Sequence, residues 1–261
     1  MRPTIISRPI IKLVANFTKI CSYGLYAIVP GIRFEIPSQS DPLIRQPPRN
    51  AEVGIPNIIW QTNYTNRVTL PVYLNYLFNR LMSPTFEYRF MVTKEREAFV
   101  RNNYSSDVLR AYERLQIGAA QADFWRLLVL QKYGGVYLDI DAHLLWPLHR
   151  IIKSDDSEMF LKIKTGEISN YFVASRPDNA NIKDISRQVQ LNIEMQASDN
   201  VYNLTGPGVF NSVLNDRSVN TGYYLDVCNQ GNFTNEYFQY LDKPQGKWTK
   251  AQSSVSVIRK D

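Results

Sequence analysis

Between Ala119 and Trp146 the chain reads AAQADFWRLLVLQKYGGVYLDIDAHLLW, and four side chains in it could do chemistry together: Asp123, Arg126, Asp139 and Asp141. Asp123 and Arg126 stand three residues apart, a spacing that makes two side chains neighbours on a helix. Leu127, Leu128 and Leu130 take other positions on that helix, so the carboxylate and the guanidinium lie in otherwise apolar company. Gly134-Gly135 can take the positive φ that ends a helix and turns the chain. In the strand expected next, over Val136 to Asp141, side chains alternate, which predicts that Asp139 and Asp141 point the same way, opposite Leu138 and Ile140. Two carboxylates on one face repel each other unless positive charge lies between them. A divalent cation held by hard oxygen ligands supplies that charge.

The elements that must position these groups read as an α/β sheet. Ile55 to Thr62, apolar on both faces, is expected as the first strand, as in a buried, largely parallel sheet. A helix is predicted over Leu70 to Leu81 with Val72, Tyr73, Tyr76, Leu77 and Leu81 as its apolar positions, then a strand over Phe86 to Val92. Thr93 is expected to cap a surface helix over Lys94 to Arg101, and Ser105 to Gln116 reads as another helix, separated by Gly118 from the one carrying Asp123. Met159 to Ile163 and Tyr171 to Ala174 read as strands, and Pro177 to Gln196 as a helix with Ile182, Ile185, Val189 and Ile193 inward. Alternating strands and helices place a ligand beyond the carboxyl ends of the strands.

Several stretches, in order, resemble a known family. I-P-N-I-I-W-Q-T at Ile55 to Thr62, A-D-F-W-R at Ala122 to Arg126, Y-G-G-V-Y-L-D-I-D at Tyr133 to Asp141, Asn170 before its strand and T-G-P at Thr205 to Pro207 are similar to the D-x-D glycosyltransferases that include yeast initiating mannosyltransferases, bacterial polysaccharide transferases and the catalytic domains of clostridial toxins. The resemblance is close over Ile55 to Trp146, loose over Asn170 to Phe210 and slight at both ends. It implies a single GT-A-type domain with a mixed central sheet flanked by helices, and transfer of a sugar, with retention, from a nucleotide-sugar, a UDP-sugar being favoured. It further implies that Asp139 and Asp141 hold Mn²⁺ or Mg²⁺. Asp123, Arg126, Asp139 and Asp141 are then the catalytic set, and Trp60, Gln61, Asp123, Arg126, Tyr137, Asn170, Thr205 and Gly206 the donor-binding set. For Trp60 two readings stand side by side: a core residue, or an indole stacked on the donor's base. His143 could reach the cation or belong to the core or a loop. The Lys247-Trp248-Thr249 segment only echoes the family's closing segment, because it lacks histidine.

With 261 residues the chain is long enough for one α/β domain with terminal additions, expected as an N-terminal segment and linker over residues 1–50 and the catalytic domain over 51–261. A net charge of +6 favours anionic partners: nucleotide-sugar phosphates or an anionic membrane face. Nucleic acid is not expected, since there is no RNP-like motif, zinc-finger spacing or long basic run. Residues 1–36 mix Arg2, Arg8, Lys12 and Lys19 with Ile10, Ile11, Leu13, Val14, Phe17 and Ile20, too many charges for a spanning helix or a signal peptide. They read either as an amphipathic helix on a membrane surface or as a helix packed on the domain, and Ser38 to Arg49 as a proline-stiffened linker. Cys21 and Cys228 are expected to be reduced thiols of a cytoplasmic protein, with peripheral attachment to the inner face of the membrane, acting on a glycan or lipid-linked glycan in lipopolysaccharide or capsule synthesis. Five N-x-S/T triplets, at Asn16, Asn63, Asn103, Asn203 and Asn232, speak against that compartment. A haloacid-dehalogenase-like phosphatase and a non-catalytic sugar-nucleotide or membrane-surface binding protein are the alternatives.

Overall fold

The computed structural model describes residues 4–46 and 54–259. Its centre is a mixed sheet of seven strands, numbered here along the chain as β1 (Gln39–Ser40), β2 (Ile58–Asn63), β3 (Glu87–Val92), β4 (Gly135–Leu138), β5 (Glu158–Lys162), β6 (Ile168–Ser175) and β7 (Thr221–Tyr223). Across the sheet they run β7-β5-β6-β4-β2-β3-β1. The strands β3, β2 and β4 are parallel, whereas β6 is antiparallel to both β4 and β5. The parallel trio needs crossover helices, and the sequence supplies them as α2 (Leu70–Met82), α3 (Thr93–Asn103), α4 (Ser106–Arg114) and α5 (Gly118–Tyr133). Strand alternation sends Trp60, Tyr137, Phe160 and Val173 into the layer under α5, and Ile59, Val136, Leu138 and Phe172 into the opposite layer under α2.

The helix α1 (Thr4–Ile28) packs Ile11, Ala15 and Tyr26 inward, and Ser7 Oγ donates to the Leu145 carbonyl at 2.9 Å. The expected linker is described only to residue 46, and within it Gln39 and Ser40 pair with Arg89 and Tyr88 as an edge strand. Pro47, Pro48 and Arg49 lie outside the described residues, as does Arg2. Downstream, α6 (Ala180–Glu194) starts at an Asn179 cap and α7 (Pro207–Leu214) follows the T-G-P turn.

Four local expectations change in the structure. Asn170, expected just before its strand, lies inside β6 (Ile168–Ser175), which begins before Tyr171. Thr93 is the first residue of α3 instead of its cap; the helix start is secured by Glu95, whose carboxylate accepts from Val92 N–H at 2.8 Å. In α2, Leu77 and Leu81 are exposed while Asn75 and Asn79 are fully buried, because those amides have backbone partners inside. Finally, β4 ends at Leu138, so Asp139 and Asp141 belong to the turn beyond it instead of to one strand face. Gly134 (φ 63°) and Gly135 (φ 106°) do turn the chain, and a Cβ on Gly135 would stand 2.6 Å from the Ile58 carbonyl.

Candidate active site

The aspartate turn is built from outside. Gln61 Nε2 donates to the Asp139 carbonyl at 3.0 Å, and its own amide oxygen accepts from the Tyr88 hydroxyl. Asn75 Nδ2 donates to the carbonyls of Ile140 and Ala142, both at 2.9 Å. Asn79 Nδ2 also reaches the Ala142 carbonyl at 2.9 Å, and its oxygen accepts from Leu144 N–H at 3.0 Å. Three buried amides thus bond the carbonyls of the turn from beneath the cleft, where the Asp139 carbonyl also accepts from Ala142 N–H at 3.0 Å. Above the turn, Gln230 Nε2 donates to Asp141 at 2.8 Å and to Asp139 at 3.2 Å, so the two carboxylates do converge, by the turn and not by strand alternation. Burial, and then the Asp139 charge, pushes the Asp141 carboxyl up to about 7.

Next to this turn lies the pair on α5. Arg126 meets Asp123 at 2.7 Å and Asp139 at 3.3 Å, donates to the Asn170 carbonyl, and stands 4.2 Å from the centre of the Tyr137 ring. Asp123 accepts from Asn170 Nδ2 at 3.0 Å and from the Thr205 hydroxyl at 3.1 Å. Both charges are almost wholly buried, unlike a helix-surface ion pair. Burial raises the Asp123 carboxyl to about 7 against the pull of Arg126. Burial also works against the arginine's charge, yet Tyr137, Asp139 and Asp123 together hold its titration above the ordinary value. The Tyr137 hydroxyl donates to Asp139 at 2.7 Å, completing a run from Thr205 through Asp123, Arg126 and Asp139 to the turn.

These groups open on a cleft of about 680 Å³, whose walls include Asp123, Arg126, Tyr137, Asp139, Asp141, Asn170 and Gly206. Thr205 sits behind Asp123 and supports it. Gln61 is buried under the turn as a positioning group. Trp60 is a correction to the stacking reading: fully buried, it donates to the Gly134 carbonyl at 2.8 Å and packs against Trp125 and Tyr133, so its indole serves the α5 layer and not the cleft. His143 likewise belongs to the core, between Phe78 and Phe233 with Asn232 3.1 Å from its Nε2, and burial lowers it to about 4.

Sequence reasoning missed Asn75 and Asn79 beneath the turn and Gln230, Arg96, Tyr240 and Lys243 in the cleft wall, whereas Lys247 and Trp248 of the segment that echoes the family's closing segment do line the cleft. The i, i+4 spacing of Asn75 and Asn79 inside an otherwise apolar helix was the available signal, since buried amides need partners. Glu236, at the cleft rim, is paired with Lys247 at 2.8 Å and with Lys250, and their hydrogen bonds hold it down to about 2.

The donor set at the turn fits a hard divalent cation: two carboxylates converged on one amide, where burial and mutual repulsion favour added positive charge. Among the described residues no cluster of three or more His, Cys, Asp or Glu side chains could hold a metal.

Residues 71–159 match the family described as "Glycosyltransferase sugar-binding region containing DXD motif", a segment that holds α2, α5 and the aspartate turn. The chain is 27% identical over 195 residues to the uncharacterized glycosyltransferase L373 of Acanthamoeba polyphaga mimivirus, covering 69% of this chain and 76% of that protein. It is 23% identical over 253 residues to an initiation-specific alpha-1,6-mannosyltransferase of Schizosaccharomyces pombe, covering 85% of this chain and 58% of the relative. The chain thus spans little more than half the length of that mannosyltransferase. The solved structure titled "PaToxG Glycosyltransferase" superimposes with a TM-score of 0.51 at 16% identity, over 81% of this chain and 78% of that one, a likeness that shows the fold. Residues 71–159 thus carry a sugar-binding region of the DXD-containing glycosyltransferase type, set in a GT-A-type fold.

Proposed function

We propose that the cleft transfers a sugar from a nucleoside diphosphate sugar to a glycan acceptor, with Asp139 and Asp141 at the diphosphate and Asp123 with Arg126 at the sugar. The observation that carries this is the buried run Asp123, Arg126, Asp139, in which one guanidinium touches both the sugar-side and the phosphate-side carboxylate. Departure of a diphosphate builds negative charge on oxygen, and a preorganised cation beside it stabilises that charge without reorganising. Arg126 is preorganised by the Asn170 carbonyl, the Tyr137 ring and two carboxylates. Asp123, anchored by Asn170 and Thr205, lines the cleft, where its carboxylate would accept from sugar hydroxyls. A divalent cation, Mn²⁺ or Mg²⁺, held by Asp139 and Asp141 would supply further positive charge at the leaving diphosphate. Tyr137, by donating to Asp139, keeps that carboxylate turned toward the cleft.

The finer reading has three parts. Retention of configuration and a UDP-sugar rest on the family resemblance, while the mannosyltransferase relatives keep GDP-sugars in the test. A lipid-linked or polysaccharide acceptor, and peripheral contact with an anionic membrane on its cytoplasmic side, are supported by α1. No helix of the described residues is long and apolar enough to cross a membrane. Yet α1 turns Ile6, Ile10, Leu13, Phe17 and Ile20 outward, opposite its packed face, with Arg8, Lys12 and Lys19 beside them and no acidic residue along the helix. A catalytic domain over residues 51–261, with residues 1–50 as its addition, is the matching domain division.

The test is nucleotide release from a panel of UDP- and GDP-sugars with the purified chain and Mn²⁺, with and without EDTA, beside Asp141→Ala. Release from one donor that stops with EDTA and with the substitution is expected. Release that is untouched by both would refute the assignment of the turn.

A further inference from the structure

The donor reading leaves one question, because Trp60 is buried away from the cleft: what receives the nucleobase? We propose that Arg96 and the first turn of α5 form the nucleobase subsite, one that selects a base edge rich in hydrogen-bond acceptors, as in uracil or guanine. The proposal rests on the function proposed above and adds the part of the donor that Asp123, Arg126 and the aspartate turn do not reach.

Sheet order fixes the direction in which the donor lies. The sugar side, Asp123 with Asn170, borders β6, and the diphosphate side stands at the end of β4. What remains of the donor must extend the other way, across β2 to β3. Neighbouring strands stand about 4.8 Å apart, so the end of β3 lies roughly 10 Å from that of β4, within reach of a nucleoside attached to the diphosphate. At that place β3 hands the chain to α3, whose first turns contribute Thr93 and Arg96 to the cleft wall.

Arg96 is 2% exposed, and its Nε makes no hydrogen bond. Its guanidinium donates back to the Thr93 hydroxyl at 3.2 Å and lies against the Tyr112 hydroxyl, and among the described residues no carboxylate pairs with it. A buried guanidinium in that position is costly unless a partner enters from the cleft. Beside it α5 begins at Gly118 with no side-chain cap, so the orphan N–H groups of its first turn are further donors. Space is left for a ligand there, since a Cβ on Gly118 would meet nothing within 4 Å. The subsite therefore donates from both walls and the guanidinium has no acceptor atoms. Uracil and guanine answer with carbonyl oxygens, whereas cytosine and adenine put an exocyclic amino donor on the matching edge.

The test is titration calorimetry on the full chain with UDP, GDP, CDP, ADP, ribose 5-diphosphate and pyrophosphate, on wild type and Arg96→Met. UDP or GDP should bind wild type about tenfold or more tightly than ribose 5-diphosphate, the scale of a good arginine-to-base contact. Arg96→Met should erase most of that difference while leaving ribose 5-diphosphate and pyrophosphate unchanged. Pyrophosphate weakened in parallel would put Arg96 at the phosphates and overturn the proposal. An undiminished base preference in the variant would overturn it too. Wild type that binds neither nucleotide nor pyrophosphate would overturn the donor reading itself, a distinct failure. Should the variant's melting curve show it unfolded, the wild-type panel decides alone: CDP or ADP preferred over both UDP and GDP sinks the proposal.

Discussion

Asn79→Leu should cost more than Asn75→Leu, although the two side chains are one helical turn apart and equally buried. Leucine keeps asparagine's branch at Cγ and adds the same methyl volume at both buried sites, so the difference between the two substitutions reports the hydrogen bonds lost. At Asn79 the loss strands Leu144 N–H, whose described partner is the Asn79 amide oxygen, and takes one of two donors from the Ala142 carbonyl. A buried, unsatisfied donor costs about 1–3 kcal/mol, and the second lost bond adds about 1 kcal/mol, giving roughly 2–4 kcal/mol in all. At Asn75 the Ile140 carbonyl loses its amide and the Ala142 carbonyl one of its two donors, but the substitution also removes the Asn75 amide oxygen, which is buried without a partner. Relief of that group offsets part of the loss, so about 1–2 kcal/mol is expected. Urea unfolding at neutral pH, followed by tryptophan fluorescence with a shared m-value, measures both differences. An Asn75→Leu cost equal to or larger than that of Asn79→Leu would show that the turn is not held as described. Because Asn79 supports the backbone just after Asp141, its variant should also weaken donor binding at concentrations where the protein remains folded.

His143 makes stability depend on pH in a defined window. Burial lowers it from 6.5 to about 4, so the unfolded chain binds the extra proton first; the stabilisation is complete above pH 6.5 and lost as pH falls toward 4, amounting to about 3 kcal/mol. The difference in unfolding free energy between wild type and His143→Gln should therefore shrink across that window, and a constant difference would refute the assignment. For α1, co-sedimentation with vesicles containing anionic phospholipid should fall severalfold for Leu13→Glu and Phe17→Glu and rise little with neutral vesicles. A concentration-dependent dimer in light scattering that both substitutions abolish, without vesicle binding, would assign the outer face of α1 to a second copy instead.

Sequence alone determined the features that depend on neighbours along the chain. The helix carrying Asp123 and Arg126, the Gly134-Gly135 turn and the strand toward Asp139 are local: three-residue spacing, the freedom of glycine and period-two alternation act over a few residues. The D-x-D triplet and its surroundings also carried enough order to indicate the family. Tertiary structure decided which polar side chains face inward. Nothing near Asn75 and Asn79 says that carbonyls more than sixty residues later will need their amides. Trp60, after two isoleucines, could serve core or ligand, and the choice fell to the Gly134 carbonyl and the space beneath α5. Convergence of Asp139 and Asp141 survived the early end of β4 because a turn, clasped by Gln61, Asn75 and Asn79 below and Gln230 above, replaced the strand. The physical reason is the same each time: a buried polar group is placed by the partner that satisfies it, and such partners come from segments far apart in the chain.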